Sequence, residues 1–450
     1  MTLSVLARAG VLDEALVDEA GSLSYAELAA RVRTRLGELR AAGLDEGARV
    51  AIVGEATRAR VIDVLAALEL GAAIVMIHPR WTPAERAAAL ERTRPALLVD
   101  ADGSLATRGE AAPPEASRGT LAILHTSGTS GAPKAAVLSR RAFVASAEAS
   151  ATRLPLAPGD RWLLVMPIAH VGGLSIVIRS LLAGSSIALA APFEASRAMD
   201  AIAAWRPAYV SLVPTMLDRL LDLGLERGTL RAILLGGAAC PARVLDRALS
   251  RGLPIHTTYG LTEACSQVTT ARAPVRGQAD GAGEPLPSVE VRLGPAGEIR
   301  VRGPNLFDGY LGLPSPFDDE GFFETGDLGR FDEAGRLHIL ARRRDLVVTG
   351  GENVYPAEVE AALERIPGVR AACVFGVDDD TWGQRVAAAL VLEPGAPSPR
   401  AIVAALREAL APFKLPRKVA VVDALATNAV GKLDRDATAR LATPRLEDVG

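Results

Sequence analysis

The chain has 450 residues, too many for a single hydrophobic core, so two or more domains are expected. Hydrophobic residues make up 49% and charged residues 23%, which excludes a disordered chain. The net charge is −3 with acids and arginines interspersed, and there is neither a leader-like N-terminus nor an 18-residue apolar run, so nucleic-acid and membrane partners are not expected. Cys240, Cys265 and Cys373 are odd in number, far apart and free of any C-x-x-C pair. They suit a reducing cytoplasm and speak against a disulfide framework or a zinc site.

In chain order, Val61–Leu70 reads as a helix stopped by Gly71, and Ala72–Ile77 as a buried strand. Segment 100–119 is polar with two prolines and reads as a surface connection before the strand Leu121–His125. Helix–strand pairs recur at Ala198–Trp205 with Tyr209–Val213, and at Arg243–Arg251 with Ile255–Thr258. Such alternation predicts α/β architecture with largely parallel sheets. From about residue 290 the pattern changes to short strands, Val289–Leu293, Glu298–Arg302, Asp327–Phe331 and Arg336–Ala341, which predict a small β-barrel or meander. After Arg342-Arg343-Arg344 a fresh α/β unit begins, with helices Pro356–Ile366 and Pro399–Ala411 and strands Ala371–Val377 and Arg385–Leu392. The boundary falls within 342–346, giving domains 1–343 and 344–450, and no internal repeat is evident.

Only four of the fifty basic residues are lysine: Lys134, Lys414, Lys418 and Lys432. An ammonium is a compact point charge that fits between crowded oxygens, where a planar guanidinium is bulkier and prefers bidentate partners. For Lys414 and Lys418 chance retention explains as much as function does. Lys134 ends Thr126-Ser-Gly-Thr-Ser-Gly-Ala-Pro-Lys134, a run of small residues leaving a buried strand. Its backbone N–H groups can converge on an anion. A flexible linker seldom emerges from a buried strand to end on a rare lysine. It is not a Walker A loop: the glycines are too close, and Ala135 stands where a Mg2+-binding hydroxyl would. Two further strand-then-turn loops follow. Gly236-Gly-Ala238 lets a backbone approach a flat ligand. In Thr258-Tyr-Gly-Leu-Thr-Glu263, Tyr259 could stack on a base, with Thr262 and Glu263 as oxygen donors for phosphate and Mg2+. In Glu324-Thr-Gly-Asp327 the aspartate follows a tight turn and suits a ribose diol. Taken singly, each of these is equally an ordinary turn.

Together, in this order, the motifs resemble the signature set of the adenylate-forming superfamily: acyl- and aryl-CoA synthetases, firefly luciferase and the adenylation domains of peptide synthetases. The resemblance runs from Ser24-Tyr25 to Lys432. It implies a large N-terminal domain of α/β sheets plus a small β-barrel, followed by a small mobile C-terminal α/β domain. It implies ATP and Mg2+ as cofactors, a carboxylic acid as substrate and coenzyme A as co-substrate. Thr126, Ser127, Gly128, Thr129 and Lys134 would form the phosphate loop. Gly236, Gly237, Ala238, Thr258, Tyr259 and Gly260 would frame the nucleotide, with Thr262 and Glu263 at the metal and Asp327 with Arg342 at the ribose. Asp345 would be the hinge, Gly350 and Gly351 the start of a loop serving the second half-reaction, and Lys432 the adenylating lysine. Lys414 and Arg417 are candidates for CoA phosphates. Ser130, Ala135 and Ala341 stand where the family usually has threonine, glycine and glycine.

Within the superfamily, Met166–Leu182 and Tyr259–Thr270 resemble the o-succinylbenzoate–CoA ligases of menaquinone biosynthesis. His170 matches the acyl-pocket histidine of related ligases. Arg179 interrupts an aliphatic run and shares a helix face with Ser175. Either the two take the acid's second carboxylate, or they form the wet face of an amphipathic helix. Rival readings are another aryl- or acyl-CoA ligase, a carrier-protein-loading enzyme, and a non-catalytic nucleotide-binding paralogue. Lys134, Glu263, Asp327, Arg342 and Lys432 together speak against the last. Oligomeric state is not encoded legibly, and a homodimer is compatible with the chain.

Overall fold

The structure, a computed structural model, describes residues 3–109, 111–113, 117–126, 134–342, 345–349, 352–379, 382–428 and 431–449. Four sheets organise them. The nine-stranded sheet has at its centre six parallel strands in the order Ile255–Leu261, Ala232–Leu235, Tyr209–Leu212, Arg161–Leu164, Ser186–Leu189 and Glu14–Asp18. The seven-stranded sheet centres on the parallel set Thr120–Thr126, Ala73–Ile77, Arg49–Val53 and Leu97–Val99. Every residue of Arg49–Val53 and Ala73–Ile77 is buried, as expected for parallel strands covered on both faces. Helices cover these sheets. Arg58–Leu70 starts on the Thr57 side chain, which accepts the Arg60 N–H, and ends at Gly71 with φ 82°.

A four-stranded antiparallel sheet follows, in the order Glu290–Leu293, Glu298–Arg302, Phe323–Phe331 and Leu337–Arg342. Backbone bonds of Leu337 with Ala282 and Gly283 join it to the segment that leads into Glu284–Pro285, the edge strand of the nine-stranded sheet. The last sheet is built only from residues between Val347 and Asp448 and has its own apolar cluster, including Val359, Leu363, Val374, Leu390 and Ile402. No helix among the described residues is long and apolar enough to cross a membrane.

Several sequence expectations change. Segment 100–119 is not wholly a connection: Leu105–Thr107 pairs antiparallel with Leu97–Val99 as an edge strand, a segment too short and too exposed to show a period. Tyr259 to Leu261 lie in a strand, because Ile255–Leu261 continues past its parallel neighbour to pair antiparallel with Ser266–Thr270. Asp327 lies inside the strand Phe323–Phe331, opposite Arg342; the turn expected before it is only a local break at Gly326, φ 75°. Helix Pro356–Leu363 is shorter than expected, and Pro399–Ala405 gives way to a 3-10 turn at Leu406–Glu408. Ala135 and Ala341 both sit in strands, where an alanine is unstrained.

Candidate active site

Two of the segments singled out by sequence, 236–238 and 258–263, lie at the carboxyl ends of the adjacent parallel strands Ala232–Leu235 and Ile255–Leu261, the usual place for a ligand crevice in an open α/β sheet. Gly237, after Ala232–Leu235, has φ 82°; a Cβ there would stand 2.9 Å from Cε and 3.2 Å from Nζ of Lys432. The lysine thus lies on bare backbone. It reaches this spot from a turn in which Asn428 N–H donates to Lys432 O and Lys432 N–H to Asn428 Oδ1. Thr215 Oγ1, on helix Pro214–Asp222, donates to Gly431 O at 2.7 Å and holds that turn against the large α/β part.

Beside Lys432 stands a polar trio. Tyr259 donates its hydroxyl to Asp327 Oδ2 at 2.7 Å, and Arg342 Nε lies 3.5 Å from Asp327 Oδ1. Burial raises the Asp327 carboxyl above its ordinary range, opposed by the Arg342 guanidinium and the Tyr259 hydroxyl. Burial, then the nearby Arg342, lowers the Lys432 ammonium, while Asp327 opposes that shift. Tyr259 is buried, and its phenol is raised by burial and by Asp327. Its hydroxyl is therefore committed to the carboxylate.

A second group lies four residues further along the chain. Glu263 is buried, and its Oε1 accepts the Tyr310 hydroxyl at 2.7 Å. Lys134 Nζ sits 5.0 Å from the centroid of the Tyr310 ring. Tyr310 thus joins two sequence-predicted residues, and nothing in the sequence flagged it. Among the described residues no three His, Cys, Asp or Glu side chains could hold a metal by themselves. The Glu263 carboxylate alone is a donor of the kind magnesium takes when most of its oxygen ligands come with a nucleotide and water.

Of the residues expected to face the acid, His170 precedes helix Val171–Ala183, and its Nε2 is buried without a partner among the described residues. Burial, then His78 and Lys432, depress its imidazole to about 3. Arg179, on the same helix, is only 5% exposed, and Ser175 is also buried, so the wet-face reading is overturned. Nε and Nη2 of Arg179 have no partner among the described residues; Cζ lies 5.8 Å from the Trp162 ring centroid. Burial pulls the guanidinium down to about 10. Ser175 donates to Gly172 O of its own helix and makes no bond to Arg179.

Other predicted residues stand apart. Asp345 lies 3.5 Å from Arg435, which also pairs with Glu360 and donates to Val374 O. Lys414 is held by both Glu358 oxygens, at 2.7 and 2.8 Å, and Arg417 donates to Pro412 O. Ala238 is exposed, and Thr258 Oγ1 donates to Thr269 O. Gly260 is required locally, since a Cβ would stand 1.6 Å from Ser266 O. Ser127, Gly128, Thr129, Ser130, Arg343, Arg344, Gly350 and Gly351 lie outside the described residues.

Fold and site together define an α/β protein whose C-terminal part delivers a lysine to a crevice in its large part. The model of the AMP-binding enzyme family matches residues 7–121 and 100–311, and that of the AMP-binding enzyme C-terminal domain matches 358–432. The chain belongs to the AMP-binding enzyme family. It is 34% identical over 452 residues to the 2-succinylbenzoate–CoA ligase of Bacillus licheniformis, covering 92% of this chain and 94% of that one. Among solved structures it resembles the Bacillus subtilis o-succinylbenzoate CoA synthetase in complex with the acyl-adenylate intermediate OSB-AMP, with TM-score 0.86, 32% identity and 96% of each chain covered. The same B. subtilis enzyme in complex with ATP and magnesium ion matches with TM-score 0.84 and 31% identity, over 96% of this chain and 98% of that one.

Proposed function

We propose that the protein is an ATP-dependent acid–CoA ligase that makes an acyl-adenylate and then an acyl-CoA thioester, with o-succinylbenzoate as the acid, in menaquinone biosynthesis. The observation that carries this reading is Lys432 lying on Gly237 beside Asp327, Arg342 and His170, the meeting point of the nucleotide and acid sides. The curated relative and the structures named above act on or bind this acid, its adenylate, ATP and magnesium.

In this reading the acid's carboxylate attacks the α-phosphate of ATP and pyrophosphate leaves. Both partners are anionic, so catalysis is chiefly positioning and charge neutralisation. Lys432 bridges carboxylate and α-phosphate oxygens. Asp327, held by Tyr259 and flanked by Arg342, takes the ribose hydroxyls. Lys134 and the loop 126–134 take the phosphates; Glu263, with Thr262, holds the magnesium ion, which offsets pyrophosphate charge. Gly236, Ala238, Thr258 and Gly260 give the adenine its backbone walls. His170 lines the acid chamber, and Arg179 pairs with the carboxylate that is not activated. Arg179 and Ser175 are buried as such a role requires, and a buried guanidinium needs an anion.

The CoA thiol then attacks the acyl carbon and AMP departs. The reading assigns domains 1–343 and 344–450, with a small β-barrel closing the first and the second rotating about Asp345. Rotation withdraws Lys432 and brings up Gly350 and Gly351; Lys414 is the candidate for a CoA phosphate. The test is acid-dependent exchange of labelled pyrophosphate into ATP. Wild type exchanges with o-succinylbenzoate and Lys432→Ala loses at least a hundredfold, yet the variant still converts supplied acyl-adenylate to thioester. Equal loss in both halves defeats the assignment of Lys432.

A further inference from the structure

Three of the five histidines, His78, His125 and His170, carry buried ring nitrogens without a partner among the described residues, and two of them, His78 and His170, lie side by side. His78 follows the buried strand Ala73–Ile77 and is 2% exposed. Its Nδ1 accepts the Arg80 backbone N–H at 3.1 Å, which puts the proton of the neutral ring on Nε2. That Nε2–H has no partner among the described residues. Nor has Nε2 of His170, whose ring centroid lies 5.3 Å away. A buried polar group left unmet is costly, so the pair calls for a polar guest.

The guest's place and charge are both constrained. His170 is close enough to Lys432 to feel its charge, so the pair adjoins the spot where the acid reacts. Both rings are held neutral, mainly by burial. A neutral N–H suits a neutral acceptor, whereas a carboxylate draws more from a cation, and Arg179 is a buried cation with two nitrogens unmet among the described residues. o-Succinylbenzoate carries one neutral acceptor between its two carboxylates, the ketone.

Resting on the reading of the acid given above, we propose that His78 is a specificity-determining residue whose Nε2–H donates to the keto oxygen of the acid. His170 packs beside that bond as the second wall of the same station. No bond is made or broken in this contact.

The experiment compares o-succinylbenzoate with its analogue carrying CH2 in place of the ketone, by pyrophosphate exchange in wild type, His78→Phe and His78→Gln. Wild type is expected to show a KM about tenfold lower for the keto acid, the worth of one buried hydrogen bond. His78→Phe equalises the two acids, His78→Gln restores part of the preference, and the KM for ATP stays constant throughout. Undiminished preference in His78→Phe overturns the proposal and leaves a buried water as the partner. Should that variant fail to fold, NMR of wild type with 15N-labelled imidazoles decides: the keto acid moves the His78 Nε2–H downfield and the methylene analogue does not. The same response to both acids overturns the proposal too. A wild type that exchanges with neither acid refutes the o-succinylbenzoate reading itself, and His78 falls with it.

Discussion

Arg179 is buried with two guanidinium nitrogens unmet among the described residues, and it leans on an indole. An uncompensated buried cation lowers stability, so its value must come from what it binds. Replacing Arg179 with leucine is therefore expected to raise the KM for the acid at least tenfold and leave that for ATP unchanged, while the melting temperature of the free protein holds or rises. A lower melting temperature with an unchanged KM would make Arg179 a packing residue over Trp162. Tyr259 gives the opposite pattern. Its hydroxyl is bonded to a buried carboxylate, a contact worth about 1.5–3 kcal/mol. Tyr259→Phe should raise the KM for ATP roughly tenfold or more without altering that for the acid; equal effects on both would place Tyr259 outside the ribose contact. The sequence pointed to this tyrosine, but for stacking on a base. Burial of its ring and the bond to Asp327, 68 positions away, could not be read from a single loop. Tyr310, Thr215 and His78 escaped notice for the same reason: each acts through a partner brought near only by the fold, or by a tautomer fixed by one amide.

At the level of elements, the strands and helices with a clear period were legible, and they alternate around parallel strands as expected. What the sequence misplaced were strands extended by antiparallel neighbours: Ile255–Leu261 beyond its parallel partner, and Phe323–Phe331 before Asp327. Pairing across distant chain segments, not local propensity, sets those ends. The cross-strand register that places Asp327 opposite Arg342 is thereby part of the site. The glycine after Ala232–Leu235 is the element-level counterpart on the lysine side. Gly237→Ala combines a positive φ with a Cβ 2.9 Å from Lys432 Cε, so the lysine must shift. Adenylate formation is expected to slow by tenfold or more, with thioester formation from supplied adenylate nearly intact. Wild-type rates in the first half-reaction would mean that Lys432 does not work from this position.

For the whole molecule, the contact between the C-terminal sheet and the large α/β part is itself sensitive to protons. Glu364 follows helix Pro356–Leu363 and accepts the Ala372 N–H, with Glu360 nearby. Across the contact it feels the charges of Asp218 of helix Pro214–Asp222 and Arg243 of helix Ala242–Ser250, and its own charge is felt by Cys240 just before that helix. Burial pushes its carboxyl up to about 7, helped by Glu360 and Asp218 and opposed by the Ala372 amide and Arg243. The docked arrangement therefore prefers the protonated acid. If Glu364 returns to its ordinary value near 4.5 when the contact opens, docking is strongest below pH 4.5, weakens as pH rises from 4.5 to 7, and levels off above. In the two-step reading proposed above, the docked arrangement is the one that holds Lys432 on Gly237, so this dependence is expected in adenylate formation and not in thioester formation. Glu364→Gln removes the titrating proton and supplies the contrast that cancels pH effects on the chemistry common to both proteins. Single-turnover adenylate formation, expressed as wild type over Glu364→Gln, should fall between pH 5 and 7 and stay flat from 7 to 8.5. Parallel profiles across that range would show that Glu364 keeps one protonation state in both arrangements, and the contact would then carry no proton linkage.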